Sequence, residues 1–361
     1  MKNAAKKPWR IKIDENYKPR VSVLVPTFNE ADVIRFKLEN LIKVKYPEDL
    51  MQIIVVDSNS QDQTVDMVKT FMAQCPRNNI QVLVENERRG KSAALNFALK
   101  KCKGNVVIVS DADCFWPSDI MEKTLPFLAD PSIGAVSGPK VLLNPDQTWV
   151  TRTEDSYLNS MNMVRVGESK VGSTLLFEGG FSAYRKELLD SFDPYDTGSD
   201  DCGTIVALVE KGYRAICVPE ARFYSTFPKS WREKIDIKMR RANQLVRVLW
   251  KYLGLLLRGR VRVSKRIIVQ GIFIYLISPI MFIALAVTTA CLLFNFPYLS
   301  LAFLVFLIPH VGLYLFELIQ SYLILFVSMF AVLMNKKFVM WKKPRDRLLL
   351  QEDVLRKYQL I

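Results

Sequence analysis

The chain has 361 residues, half of them hydrophobic, and a formal net charge of +14, enough apolar content for a large core and more than one structural unit. The positive balance suits anionic partners, but Lys and Arg crowd around an apolar C-terminal region, which favours anionic membrane lipid and argues against nucleic acid. Six cysteines show neither CxxC nor zinc-type spacing, so they read as small buried hydrophobes in a reducing compartment.

Residues 1–20 form a basic N-terminal arm without the apolar run of a secretory leader, so the soluble part is expected to stay on the cytosolic side. From Val21 onward, short β-rich runs alternate with helical stretches. VSVLVP (21–26) precedes an amphipathic segment over 30–43, QIIVVD (52–57) precedes 62–73, and IQVLVE (80–85) precedes 91–101. NVVIVSD (105–111) follows. This alternation predicts right-handed βαβ units and a parallel sheet covered on both faces. Ligands bind such sheets beyond the carboxyl ends of the strands, and the polar segments 26–30, 57–60 and 111–113 each follow a strand. After about residue 133 the pattern loosens into mixed strands and helices, read as the second half of one domain ending near residue 230.

Residues 231–266 carry Arg, Lys, Leu and Trp at helical spacing and are expected to form amphipathic interfacial helices. The region 267–334 is almost uncharged, far longer than the ~20 apolar residues of one membrane-spanning helix. It divides into 267–294, 297–315 and 318–334, which makes an integral membrane protein the expectation. Three crossings would put the basic tail, 335–361, opposite the soluble domain. The positive-inside rule asks for an even number instead, and Pro279 or the Glu317 region offers a place to change the count. His310, the only histidine, and Glu317 lie two helical turns apart. A loop edge or an interhelical hydrogen bond is the preferred reading of that pair.

The run VVIVSDADCFW ends in two carboxylates, Asp111 and Asp113, one residue apart. Like charges at a strand end repel unless a cation sits between them. A shared Mg2+ or Mn2+ would supply it and leave coordination positions for phosphate oxygens. A solvated turn is the plainer alternative for the triplet alone.

The segments VSVLVPTFNE, IIVVDSNSQDQT, RRGKSAALNFAL, VVIVSDADCFW, GAVSGP, GGFSAYRKELL and SDDCGTIVALVEKGYR, in this order over residues 21–225, resemble family-two glycosyltransferases of the GT-A fold. Membrane-attached members related to polysaccharide synthases look most similar. The resemblance implies an α/β, Rossmann-like nucleotide-diphospho-sugar transferase domain followed by interfacial helices and a transmembrane region. It implies a nucleotide-diphosphate sugar donor, a glycan or lipid-linked acceptor, and inversion at the anomeric carbon. Pro26, Asn29 and Glu30 would border the nucleotide, Asp57 would accept from a base N–H, and Lys91 would meet base or diphosphate at a helix N-terminus. Asn96 is placed with them, although an inward Asn can instead cap local structure. Asp111 would lie near the ribose and Asp113 on the metal. Asp201 is expected to be the base that deprotonates the acceptor hydroxyl, with Asp200 positioning acceptor or base. An N-cap with an acidic first turn explains the same pair structurally. Glu178, Gly179 and Gly180 would bring backbone close to the acceptor. The triplet TED at 153–155 lies too early for that role, and Glu154 and Asp155 read as helix surface.

Processive relatives carry QxxRW. Here Gln244 and Arg247 keep the first spacing, but Trp250 comes three residues after Arg247, nearly a helical turn away. That departure argues against a processive polysaccharide synthase. Arg240 and Arg241 would supply cations for the diphosphate instead. WKKPR at 341–345 resembles the Trp-and-basic segment that follows the membrane region in some relatives. A polyprenyl-phosphate sugar synthase is the nearest enzymatic alternative, and a membrane scaffold binding nucleotide sugars is the non-enzymatic one. The retained Asp201 position favours a hydroxyl acceptor, because a phosphate acceptor needs no base.

Overall fold

The computed structural model describes residues 1–75, 79–298, 300–301, 308–338 and 352–361. The WKKPR segment and most of the basic tail lie outside the described residues. Helix α1 (Lys2–Ala5) leads into β1 (Val21–Thr27), α2 (Ala31–Ile42), β2 (Met51–Asp57), α3 (Thr64–Gln74), β3 (Ile80–Val84), α4 (Lys91–Leu99) and β4 (Val106–Val109). These four strands are parallel and lie in the order β3-β2-β1-β4. Their β-branched residues alternate faces. Val21, Val23 and Val25 pack with α2, while Leu24 faces the opposite layer with α4. The chain leaves β1 on one side and returns on the other, so a crevice opens between the ends of β1 and β4.

In the second half, where the sequence pattern loosens into mixed strands and helices, the sheet itself becomes mixed. Next come α5 (Ile120–Thr124), β5 (Ile133–Ser137), β6 (Lys140–Leu142), α6 (Trp149–Val171), β7 (Ser182–Arg185), α7 (Asp200–Lys211), β8 (Arg214–Cys217) and β9 (Phe223–Ser225). The sheet continues β4-β7-β5-β8, and β7 runs antiparallel to both of its neighbours. The reason lies in the chain path. After α6 the chain sits beside the start of β8, where Thr174 N–H bonds the Ala215 carbonyl. The stretch 175–181 then climbs back to the crevice, so β7 enters from that end. Strands β6 and β9 form a small parallel sheet beyond it.

Helix α8 (Trp231–Leu257) runs unbroken for 27 residues and buries Ala242, Val246, Leu249 and Tyr252 against the second core. Much of the apolar side expected to face lipid is thus spent on protein. Next are α9 (Lys265–Ile272), α10 (Ser278–Asn295), α11 (Pro309–Leu333) and α12 (Glu352–Lys357). Among the described residues, two stretches are long and apolar enough to cross a membrane, Lys265–Asn295 and Val311–Leu333. Pro279 does not split the first. A π turn over Phe273–Ile277 precedes it and absorbs the missing N–H and the ring. The break expected between 315 and 318 does not occur, because α11 is continuous there. The remainder of the 297–315 segment includes 302–307, outside the described residues.

The two helices pack as a hairpin, with Phe282 stacked on Tyr322 at 5.1 Å. Beyond α11, the Lys336 carbonyl accepts from Asn243 Nδ2 at 3.1 Å and Arg247 Nη2 at 2.9 Å. The chain after α11 thus contacts α8 again through its backbone. Glu317 makes the interhelical contact, with Lys234 and Lys238 Nζ each at 2.8 Å. His310 falls within α11.

Gly138, at the β5–β6 corner, lies so close to the neighbouring turn that a Cβ there would sit 1.6 Å from the Ala221 carbonyl oxygen. Backbone cannot move aside as a side chain can. Gly138→Ala is expected to destabilise the protein by about 2–3 kcal/mol, measured by chemical denaturation. An unchanged midpoint would show that this corner tolerates the approach.

Candidate active site

The crevice is a cleft of about 330 Å³ whose lining includes Pro26, Phe28, Arg88, Lys91, Asp111, Asp113, Asp200 and Asp201. Asp111 and Asp113 hang from the end of β4. Asp200 and Asp201 open α7, whose N-cap Ser199 accepts from the Cys202 N–H. Lys91 opens α4 immediately after Gly90, which takes φ 100°, a left-handed value that favours glycine. Lys91 Nζ lies 2.7 Å from Asp111 Oδ1 and 2.9 Å from Asp200 Oδ2, so one cation ties the two acidic elements together. Burial opposes its charge, but Asp111 and Asp200 outweigh that and hold its pKa well above the ordinary lysine value. Burial raises the pKa of both Asp111 and Asp200, with Lys91 opposing in each case.

Asp201 Oδ1 accepts from Ser199 Oγ at 2.5 Å and from Cys202 N at 2.6 Å. These bonds orient its carboxylate without a cation in contact among the described residues. Gly179 approaches the Lys91–Asp111 pair so closely that a Cβ there would sit 3.0 Å from Asp111 Oδ2. A Cβ at Gly180 would meet the Phe223 ring at 2.2 Å. The two glycines thus let backbone close on the acids and on β9.

The donor set suits a hard divalent cation. Ligand atoms of Asp111, Asp113 and Cys114 lie within 4.8 Å of one another. Burial, followed by Asp113 and Asp111, pushes the Cys114 thiol far up, and the two carboxylates are the candidate ligands. Carboxylate oxygens fit Mg2+ or Mn2+ rather than a thiolate-seeking metal.

A second charge cluster, largely unforeseen, backs the cleft. Glu178 meets Arg165 Nη2 at 2.7 Å and Arg241 Nη2 at 3.6 Å, and Arg241 Nη1 also meets Glu154 at 3.4 Å. Glu154 is 1 % exposed, which corrects its reading as helix surface. Asp155 bonds Asn159 along the outer side of α6. Arg241 is engaged by two carboxylates, whereas Arg240 lines the cleft without a salt bridge among the described residues.

Several residues expected at the nucleotide also hold neighbouring segments of the chain. Asp57 is fully buried; its carboxylate accepts from Thr27 Oγ1, Ser60 Oγ and Ser60 N. Asn29 takes φ 54°, and its Oδ1 accepts from Gln61 N. Glu30 is 4 % exposed, and its N–H donates to Thr64 Oγ1. These three residues knit the loops after β1 and β2 together behind the cleft wall. Asn96 holds the Phe192 backbone twice, through Nδ2 at 3.1 Å and Oδ1 at 2.7 Å. Gln244 lines the cleft and donates to the Gly198 carbonyl, but Arg247 turns away to Asn243 and Lys336. Trp250 is 45 % exposed. Two residues missed at the sequence level, Phe28 and Arg88, stack at the rim, the guanidinium 3.7 Å from the ring centroid. Both stand in motifs quoted for the resemblance, beside Asn29 and Lys91, and that proximity was the available signal.

Burial opposes the Glu178 charge, yet Arg241 and Arg165 overcome it and hold the carboxyl down at about 2, against an ordinary 4.5. A depressed carboxylate contributes stability that is present above its unfolded pKa and lost as pH falls through the folded one. Glu178→Gln is therefore expected to lose about 3 kcal/mol at neutral pH. The gap from the parent protein should shrink between about pH 4.5 and pH 2, read by denaturation at each pH. A gap that stays constant over this window would overturn the ion-pair assignment.

The chain is similar to known proteins. A family model described as glycosyltransferase like family 2 matches residues 19–244. An N-acetylglucosaminyltransferase of Rhizobium meliloti is 29 % identical over 251 residues, covering 66 % of this chain and 58 % of that protein. A probable glycosyltransferase of Bacillus subtilis is 28 % identical over 329 residues, covering 85 % of this chain and 74 % of that protein. The chain thus spans little more than half the length of the first of these relatives. Among solved structures, a mannosyltransferase from Pyrobaculum calidifontis, in complex with GDP-Man and Mn2+, superposes with a TM-score of 0.74. It is 32 % identical, and the likeness covers 93 % of each chain. With the family model matching well over half its length and the mixed sheet framing an acidic cleft, the chain belongs to glycosyltransferase family 2 and has the GT-A fold.

Proposed function

We propose that the protein transfers a hexose from a nucleoside-diphosphate sugar to a hydroxyl of a glycan or lipid-linked acceptor, with inversion, at a membrane surface. The observation that carries this reading is the convergence of Asp111 and Asp113 with Asp200 and Asp201 on one cleft. A metal held by Asp111 and Asp113 would neutralise the diphosphate as it departs. The Pyrobaculum mannosyltransferase, which covers nearly the whole chain, was solved with GDP-Man and Mn2+, and that supports both the donor class and the metal.

Each residue has a task in this reading. Phe28 and Arg88 form a stacking platform at the rim for the nucleobase. Lys91 and the N-terminus of α4 face the diphosphate. Asp201, oriented by Ser199, takes the proton of the acceptor hydroxyl. The hydroxyl oxygen bonds to the anomeric carbon as the bond from that carbon to the diphosphate oxygen breaks. The nucleoside diphosphate leaves on the opposite face, which inverts the centre. Asp200 is assigned to positioning because its carboxylate is paired with Lys91. Arg240 supplies a further cation to the departing diphosphate. Two apolar helices and the basic charge around them support attachment to an anionic membrane, with the α/β domain on the cytosolic side.

Asp201→Asn is expected to lower kcat by about 10²–10⁴ while nucleotide-sugar affinity stays near that of the parent protein. Radiolabelled transfer and calorimetric donor binding, with GDP-Man and UDP-GlcNAc as first donors, make the comparison. Full activity of Asp201→Asn combined with an inactive Asp200→Asn would move the base to Asp200. Asp113→Asn is expected to weaken donor binding in Mn2+ but not in EDTA. Equal loss in both would remove the metal from the reading. Product formed with polyprenyl phosphate as sole acceptor would replace the hydroxyl acceptor with a phosphate.

A further inference from the structure

Beyond the last apolar helix, the end of the chain returns to the active-site domain. Leu355 is fully buried, Leu360 is 1 % exposed and Ile361 is 7 % exposed. All three belong to the core cluster that contains Ala112, Cys114, Phe115 and Trp116, the residues around and after Asp113. The contact is also polar and specific. Asn40, on the buried side of α2, donates through Nδ2 to the Trp116 carbonyl and to the Leu360 carbonyl, each at 2.7 Å. Its Oδ1 accepts from Trp116 N at 2.9 Å. One turn earlier on α2, Lys37 Nζ donates to the Cys114 carbonyl at 2.5 Å and sits 4.4 Å from the Trp116 ring. Tyr358 packs against Tyr224 at 5.7 Å, and Tyr224 exchanges two backbone bonds with Phe115.

We infer that residues 352–361 are a positioning element of the active site: by completing the hydrogen bonding of Asn40, they lock the 113–116 loop and so set the geometry of the Asp111–Asp113 pair. The physical argument is one of saturation. A buried amide has two donor hydrogens and an acceptor oxygen, and an unmet one is unfavourable. With Leu360 in place, Asn40 meets both backbone groups of Trp116 and the tail at once. Without it, one donor is stranded and the apolar faces of Phe115 and Trp116 lose their cover. The loop then samples wider conformations, and two carboxylates that must converge on one ion are held less well. The metal part of this inference rests on the function proposed above; the coupling of tail to loop does not.

The test uses the full-length protein in detergent and two variants: a truncation removing residues 358–361, and Asn40→Leu, which keeps the volume but has no polar atoms. Amide hydrogen exchange over 112–117 and 352–361 is read without metal. Mn2+ affinity is read from the free-ion EPR signal. The truncation is expected to speed exchange at 112–117 and to weaken Mn2+ binding, each by about tenfold, the scale of one buried hydrogen-bond link. Asn40→Leu should speed exchange in both segments, and adding the truncation to it should change 112–117 and Mn2+ affinity little further. Additive effects, or exchange at 112–117 within about twofold of the parent, would overturn the inference. If the truncated protein does not fold, Asn40→Leu decides alone: faster exchange confined to 112–117, with the tail still protected, also overturns it. If the parent protein binds no Mn2+, the metal reading fails and the exchange measurement decides the tail.

Discussion

Asp111, Asp113, Asp200 and Asp201 around one cleft repel one another, and the whole arrangement depends on how that repulsion is met. Lys91 meets part of it directly by bridging Asp111 and Asp200. At such separations the Coulomb energy is large compared with thermal energy unless water screens it, and all three groups are partly shielded from water. The helix geometry adds to the effect. Asp200 and Asp201 sit in the first turn of α7, so the α7 dipole stabilises these two carboxylates while Lys91 closes the gap to Asp111. A deeper lattice, Arg165–Glu178–Arg241–Glu154, stabilises the wall behind them. Its charges cancel internally, so the wall adds little field of its own to the cleft.

The fold supplies convergence by topology. Because the chain switches sides after β3, the ends of β1 and β4 diverge and leave a crevice. Reversed entry of β7 brings Gly179 and Gly180 to the same end, where the absence of side chains lets backbone touch the acids and Phe223. Helix α8 connects this rim to the apolar hairpin. It contributes Arg240, Arg241 and Gln244 to the cleft lining and Lys234 and Lys238 to Glu317 of α11. One continuous helix thus contacts both the hairpin and the cleft wall.

The sequence was legible where structure is set by short-range pattern. Alternating β-branched runs with helical stretches between them specify the four parallel strands, and the acids after VVIVS mark a strand end. The RGKS turn of RRGKSAAL announces a helix opening on a lysine, and the nearly uncharged region 267–334 announces apolar helices. Periodicity alone decides such features, since burial of one face follows from the spacing of side chains. The resemblance to a known family added the expectation that these pieces meet around a donor.

What only the tertiary structure decided was which polar groups remain for a ligand. Asp57, Asn29 and Asn96 have the right chemistry for ligands, yet neighbours 3 to 96 residues away already engage hydrogen-bonding atoms of each. Glu154 reads as surface by its place in a charged helix, but Arg241, 87 residues on, draws it inside. The direction of β7 and the seat of residues 355–361 beneath α2 likewise depend on contacts between segments far apart in the chain. The reason is that hydrogen bonds and ion pairs saturate. Composition tells which groups can bond, but only the folded neighbourhood tells which bonds are already made.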